Sequence, residues 1–468
     1  MKRTEQSKIK YTSYKNVLTK ILRMEKKNNY SNQLSLYKHD TQNTWKIIKD
    51  AMNLSKNKHS ITKIKSNDTT IDDPISMANS CNTYFSTIGE NLAQTIPPSN
   101  KEFFDFLGSP NLNCLFFVPT HRNEIIDIVT SLNNNKSAGH DEINNYLLKG
   151  IINSIADPLV HIFNLSLISG LVPDSMKIAK VIPLFKKGDK EDTNNYRPIS
   201  LLSTISKILE KLIYNRIVKF FQLHKIFSNL QFGFRKKHST IHALLTFIEK
   251  VTHSLDNFSH TVGIFLDFSK AFDTIDHDIL LYKLSHYGVR GKALEWFRSY
   301  LSNRKQYVNL NDYKSHMQYI KDGVPQGSLL GPLLFLVYIN DFHRSSDVLS
   351  FILFADDSNL FYSHPDPYIL ANTLNIELNK VTQWIKANKL SLNMQKTKYM
   401  LFSNSIEQLP INIIFDDTPL EEVTDIKFLG IIVDNKLSWK LHIYKADLFG
   451  RFISAFIHQQ MTEINTSQ

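Results

Sequence analysis

Cysteine is nearly missing from this chain: Cys81 and Cys114 are the only two among 468 residues. A disulfide framework is thereby excluded, as is a zinc knuckle, which needs three or four soft ligands close together. Long hydrophobic runs are missing as well. The longest, Leu329–Ile339, has 11 residues and carries Gly331 and Pro332, whereas a membrane span takes about 20. No apolar stretch follows the opening MKRTEQSKIK, so no secretory signal is expected. No internal repeat of about 20–50 residues is evident. These absences predict a soluble, intracellular chain with no membrane partner, the choice between nucleus and cytoplasm staying open.

What is abundant points to a folded protein. Hydrophobic residues make up 42%, with 30 Phe and 19 Tyr, too much for disorder along the whole chain. The length suits roughly two or three domains. The net charge of +11 is concentrated at one end: residues 1–66 hold 16 Lys/Arg against 4 Asp/Glu, leaving 39 basic and 40 acidic residues elsewhere. Such an arm can neutralise phosphates and bind RNA or DNA in a salt-dependent way. It can equally be a solvated linker. Its basic stretch KNKHSITKIK (56–65) is interrupted and leaves nuclear import undecided.

Along the chain, Asp72-Asp73-Pro74 reads as a helix start and TIPPSN (95–100) as a boundary. From about residue 115, apolar runs and turn signals become dense. TVGIFLDF (261–268) and VLSFILFADD (348–357) read as buried strands, and 368–385 sets Leu370, Leu374, Leu378, Val381 and Ile385 on one helical face. Strands separated by helices without a regular βαβ repeat predict an α+β fold, with helices on one face of a sheet.

Two acidic sites are awkward for stability. Asp267 ends the apolar run Gly263–Leu266, and Asp356-Asp357 stands between Phe351–Ala355 and Asn359–Phe361. The second pattern predicts two strands joined by a tight turn with the acids at its tip. Adjacent, partly buried carboxylates repel one another, and a cation compensates. Mg²⁺ suits them, since it takes oxygen ligands and keeps positions for water and phosphate. An isolated Asp-Asp is more often an ordinary hairpin turn, and 89 residues of separation do not establish proximity. His238 and His242, four apart, lack an adjacent third ligand and are rejected as a zinc site.

These residues fall within eight blocks whose order resembles the reverse transcriptase domain of non-long-terminal-repeat retrotransposons, the jockey-like elements above all. NNNKSAGHDEI (133–143), the stretch 181–212 from VIPLFKKGD through NNYRPISLLS to KILEKL, and QFGFRKKHST (231–240) resemble the three fingers motifs. GIFLDFSKAFDTIDH (263–277), GVPQGSLLGPLLFLVYINDF (323–342) and FILFADD (351–357) resemble motifs A, B and C, with Phe354 where many relatives have Tyr. LSLNMQKTKYM (390–400) and KFLGIIVD (427–434) resemble motifs D and E.

The resemblance implies a right-hand polymerase with fingers, a palm built on an antiparallel sheet, and a thumb. The implied reaction is RNA-directed DNA synthesis, in which a primer 3′-hydroxyl attacks a deoxynucleoside triphosphate by a two-metal mechanism. The implied partners are an RNA template, a DNA primer and deoxynucleoside triphosphates; no protein partner is identified. Asp267, Asp356 and Asp357 are the implied catalytic acids. Asp267, Asp356 and the backbone carbonyl of Phe268 are the implied ligands of two Mg²⁺ ions. Phe272 falls at the steric gate that excludes a 2′-hydroxyl. Arg197 and either Lys186 or Lys187 resemble the residues that grip the triphosphate, Gln326 the residue that packs on the incoming nucleotide, and Lys396 the motif D lysine that protonates pyrophosphate.

The resemblance divides the chain into a basic, partly helical extension or linker (1–119), fingers and palm (120–435) and a tail (436–468). Residues 1–119 are too few for the endonuclease of full-length jockey-like proteins, and no ribonuclease H segment is recognised. The 25 residues after KLSWKLHI depart from the family's thumb, so a truncated helical thumb is expected. Two alternatives stand beside an active polymerase: a nucleic-acid-binding remnant of a degenerate element, and an intron-encoded type of reverse transcriptase.

Overall fold

The computed structural model describes residues 5–37, 40–51, 61–66, 69–405 and 411–447. The chain forms two compact units, one of residues 1–60 with 437–468 and the other Ile61–Lys436. In the first, helices Glu5–Leu36 and Thr41–Ala51 are longer than the short helices expected there. Most of the segment named as a shortened thumb, residues 448–468, lies outside the described residues, as do residues 56–60 of the basic stretch 56–65.

The larger unit holds two five-stranded sheets. In the first, strands run in the order Glu421–Glu422, Lys398–Phe402, His260–Asp267, Asp357–His364 and Ser350–Phe354, antiparallel except for the pairing of the first two. Strand His260–Asp267 is apolar along its whole length because both of its faces are covered. Val262, Ile264 and Leu266 join the main core with the helix Pro367–Ala387, whose Leu370, Leu374, Leu378, Val381 and Ile385 are all buried. Each such side chain contributes about 1.5–3 kcal/mol. On the opposite face, Phe247 of helix Thr240–Asp256 packs on Phe265, Phe361, Phe402 and Phe428. The expectation of helices on one face is thus corrected: the run Gly263–Leu266 has no polar alternation because neither side meets water.

The second sheet orders Tyr196–Leu201, Ile178–Phe185, Arg304–Leu310 and Tyr313–Lys314, with Gln318–Ile320 also on Arg304–Leu310. Helix Pro74–Gln94, capped by Asp73 and led by Pro74 as its sequence announces, covers this sheet. Met77, Ala78, Cys81 and Phe85 share a core with Ala179, Val181 and Val308. Asn82, fully buried, donates to the His316 carbonyl at 2.7 Å and accepts from Gln306 Nε2 at 3.1 Å. Residues 61–119 lie within the larger compact unit, Ile61–Lys436. The polar look of the segment misleads because half of its helix faces outward.

Helix Asn145–Ser169 is long and apolar enough to cross a membrane by length and composition. One of its faces, with Leu148, Ile152, Ala156, Leu159 and Phe163, is buried in the main core.

At the centre of the unit a charge pair ties three helices. Lys283 Nζ, fully buried on helix His277–His286, donates to Asp341 Oδ1 and to the Tyr338 carbonyl, each at 2.6 Å. Trp384 Nε1 donates to the other Asp341 oxygen at 2.9 Å. Burial pushes the Lys283 ammonium down while Asp341 holds it up. Removing one partner strands the other charge, so Lys283→Met is expected to lower stability by about 3–5 kcal/mol. Lys283→Met/Asp341→Asn, which keeps an acceptor for Trp384, recovers part of that loss in urea unfolding.

Candidate active site

The three acids meet at one end of the first sheet. Strands His260–Asp267 and Asp357–His364 are antiparallel and in a register that sets Asp357 directly opposite Asp267, so both side chains leave the same face. Strands Ser350–Phe354 and Asp357–His364 are joined by the two-residue loop Ala355-Asp356. Ala355 has φ +56°, the sign that a tight hairpin demands of its first loop residue, at a cost of about 1–2 kcal/mol for a side chain with a Cβ.

The loop Gln231–Arg235 underpins that turn. Buried Gln231 accepts through Oε1 from Ala355 N–H (3.0 Å) and Gly233 N–H (2.7 Å), and Phe232 N–H donates to the Leu353 carbonyl at 2.7 Å. A Cβ on Gly233 would collide with the backbone nitrogen of Ala355. The glycine is required by this close approach.

Electrostatically the cluster is frustrated. Burial first, then Asp356 and Asp267, pushes the Asp357 carboxyl up to about 6. Asp356 is also raised by burial, with Arg197 opposing and Asp267 adding to the shift. Asp267 is relieved by Lys396, whose ammonium lies 3.3 Å from Oδ2. Its backbone is held by Thr397 Oγ1, which accepts from Asp267 N–H at 3.3 Å, and by Asn393 N–H, which donates to the Asp267 carbonyl at 2.8 Å. Lys186, Arg197 and Lys396 face the acids: burial, then Arg197 and Lys396, lowers the Lys186 ammonium, with Asp267 opposing.

The remaining candidates surround this point. Arg197 is exposed on its strand opposite Leu184. Lys187 is exposed beside Lys186. Phe268 is buried against Phe342, and Phe272 is half-buried against Phe335, ring centres 4.8 Å apart. The Phe272 carbonyl accepts from Val324 N–H at 2.8 Å, joining its turn to the loop that carries Gln326. Gln326 Nε2 donates to both oxygens of Asp273, at 2.9 and 2.8 Å, and its carbonyl accepts from Ser200 N–H at 2.7 Å. Gly327, at φ +119°, lies where a Cβ would press on the Ser200 carbonyl at 2.6 Å. The helix Leu330–Tyr338 that follows is held at its start by buried Glu210, which accepts from Leu329 N–H at 2.7 Å and from Tyr300 Oη at 2.6 Å.

Sequence reasoning did not single out Gln231, Gly233, Asp273 or Glu210, although all four lie inside the blocks it quoted. Their roles depend on which backbone or side chain they touch across the fold, which no local pattern announces. His242 Nδ1 lies 3.2 Å from the hydroxyl of Ser239, the cap of its own helix.

Among the described residues no three His, Cys, Asp or Glu side chains close into a metal cage. The donor set does fit a divalent ion that keeps positions for water and phosphate: hard oxygens only, mutually repelling, with one already neutralised by an ammonium.

Comparison with known proteins identifies the family. The family described as reverse transcriptase (RNA-dependent DNA polymerase) matches residues 185–433. The probable RNA-directed DNA polymerase from transposon BS of Drosophila melanogaster is 31% identical over 358 residues, covering 73% of this chain and 39% of that protein. The RNA-directed DNA polymerase from mobile element jockey of the same fly is 29% identical over 368 residues, covering 75% and 40%. That of transposon X-element is 28% identical over 325 residues, covering 68% and 36%. The chain thus spans about two fifths of the length of the first two of these relatives. With three carboxylates on one sheet edge, the motifs in order and the matched span enclosing them, the chain belongs to the reverse transcriptase family, among proteins similar to those of jockey-type mobile elements.

Proposed function

We propose that this chain is an RNA-directed DNA polymerase that extends a DNA primer on an RNA template with deoxynucleoside triphosphates. The observation that carries the reading is the register that faces Asp267 with Asp357 and sets Asp356 at the intervening turn. The first sheet is then the palm, and the second, with its exposed Arg197 and Lys186, belongs to the fingers.

Two Mg²⁺ ions, held by the carboxylates of Asp267 and Asp356 and the carbonyl of Phe268, would supply charge neutralisation for the attacking 3′-hydroxyl and the leaving pyrophosphate. The protein's own groups do the rest. Lys186 and Arg197 bind the triphosphate, Arg197 through a planar pair of donors and Lys186 as a point charge. Lys186 is favoured over Lys187 because its charge is the one felt by Asp356 and Asp357. Phe272 closes the space beneath the sugar, and Gln326 packs beside the nucleotide. Lys396, half-exposed on Asp267, is placed to release its proton to the pyrophosphate.

The nucleic acid has a matching surface. A cleft of about 640 Å³ is lined by Lys225, Arg235, Lys236 and Arg344 and, among the described residues, by no Asp or Glu. The surplus of basic residues in 1–66 suits phosphate binding of low sequence specificity in its own right.

The decisive test is primer extension, using oligo(dT) on poly(rA) with Mg²⁺ and dTTP at low salt. Wild type is expected to extend, and Asp356→Asn to lose at least about 100-fold in rate through loss of charge stabilisation. Primer–template binding without extension by either protein would refute the polymerase reading. Phe272→Ala is expected to incorporate ribonucleotides; unchanged sugar discrimination in competition assays would remove the gate assignment. Burial and the neighbouring Asp356 and Asp267 push the Asp357 carboxyl up to about 6, so falling pH takes a negative charge away from beside the two carboxylate ligands and weakens their hold on the metal. The Mg²⁺ concentration for half-maximal extension should therefore rise as pH falls through 6, by at most about tenfold per unit for one proton. A flat requirement between pH 7 and 5 would contradict this.

A further inference from the structure

We propose that Asp273 is a positioning residue that orients the carboxamide of Gln326 so that its oxygen, a pure acceptor, is the atom left for the incoming nucleotide. The inference rests on the nucleotide-binding role of Gln326 proposed above and goes beyond it in naming which chemistry that residue can recognise.

The argument starts from the main chain. The Gln326 carbonyl accepts from Ser200 N–H at 2.7 Å, Val324 N–H donates to the Phe272 carbonyl at 2.8 Å, and Gly323 N–H to the Ile275 carbonyl at 2.8 Å. The backbone of 323–326 is therefore clamped, and the freedom left to Gln326 is the rotation of its side chain. Asp273 removes it. Both carboxylate oxygens lie within 2.9 Å of one Gln326 terminal atom.

An ionised carboxylate can only accept, so that atom must be the nitrogen. Burial pushes the Asp273 carboxyl up to about 6, with Gln326 and Lys270 opposing, so it is ionised at neutral pH. Nor can Asp273 drift. Gly323, at φ +78°, is packed so that a Cβ would stand 2.8 Å from the Asp273 Cα, and a Cβ on Gly89 would meet the Asp273 carbonyl oxygen at 2.3 Å. The Asp273–Gln326 pair itself lines a cavity of only about 30 Å³, together with Asp322 and Arg304. With Nε2 committed, Oε1 is the free end of Gln326, and it selects a hydrogen-bond donor.

A nucleotide offers two such donors, a sugar hydroxyl and a base amino group. Single-nucleotide incorporation separates them, comparing each nucleotide with its 3′-deoxy form and dGTP with dITP, which lacks the exocyclic amine. In wild type, removing the relevant donor should raise KM about tenfold, the worth of one hydrogen bond. In Asp273→Asn the amide partner both donates and accepts, so Gln326 loses its imposed orientation. KM for the complete nucleotide should rise several-fold, kcat should stay within about twofold, and the penalty for the missing donor should shrink to about twofold or less.

Asp273→Asn/Gln326→Glu keeps the pair's charge and again turns an acceptor outward, because Asn donates to one Glu oxygen and leaves the other free. It should restore the discrimination. Donor discrimination unchanged in Asp273→Asn, or a uniform loss across all nucleotides with lowered thermal stability and no restoration in the double variant, overturns the inference. If wild type does not extend primers, the polymerase reading fails by itself. Spectra of ¹⁵N-glutamine-labelled protein then read the contact directly: a Gln326 side-chain amide unmoved by Asp273→Asn overturns the positioning, and a displaced one upholds it.

Discussion

Like charges held against each other organise this molecule. Asp267 and Asp357 are opposed by strand register, and Asp356 is attached to the second of them. Opposed carboxylates destabilise a pair of strands, so the surrounding structure has to force them together. It does so with apolar strands buried on both faces, with a turn residue at positive φ, and with a loop whose glutamine holds that turn from beneath. The repulsion stored in the acids is what a bound cation would relieve.

The parts of the fold that followed from sequence are those where one local signal decides the outcome. The Asp73-Pro74 cap, the leucine stripe of 367–387 and the apolar–Asp-Asp–apolar hairpin each carry their own periodicity or turn chemistry. The order of the motif blocks brought Asp267 to Asp356 and Asp357 across 89 residues, which no periodicity could do. What stayed hidden depends on contacts between segments distant in sequence. Helix Pro74–Gln94 reads as linker because its partners, Val308 and Gln306, lie more than 200 residues away. Likewise, Gln231 becomes intelligible only when the Ala355 backbone is seen on its side chain.

Buried polar groups do similar work elsewhere. Glu210 holds the start of helix Leu330–Tyr338, and the Lys283–Asp341 pair holds its end against two other helices. The helix after the Gln326 loop is therefore pinned at both termini by groups that tolerate little displacement, since each would lose a buried partner on moving. Rigidity at that position suits a site whose geometry has to be set before any substrate arrives.

The contact between Lys396 and Asp267 has a different meaning. The ammonium is a counter-ion tethered to the chain, so the acidic edge is never a bare anionic well. A divalent ion held at Asp267 would share a carboxylate that already has an ammonium beside it. Lys396, tethered next to that carboxylate, would then be a cation free to turn to phosphate oxygens.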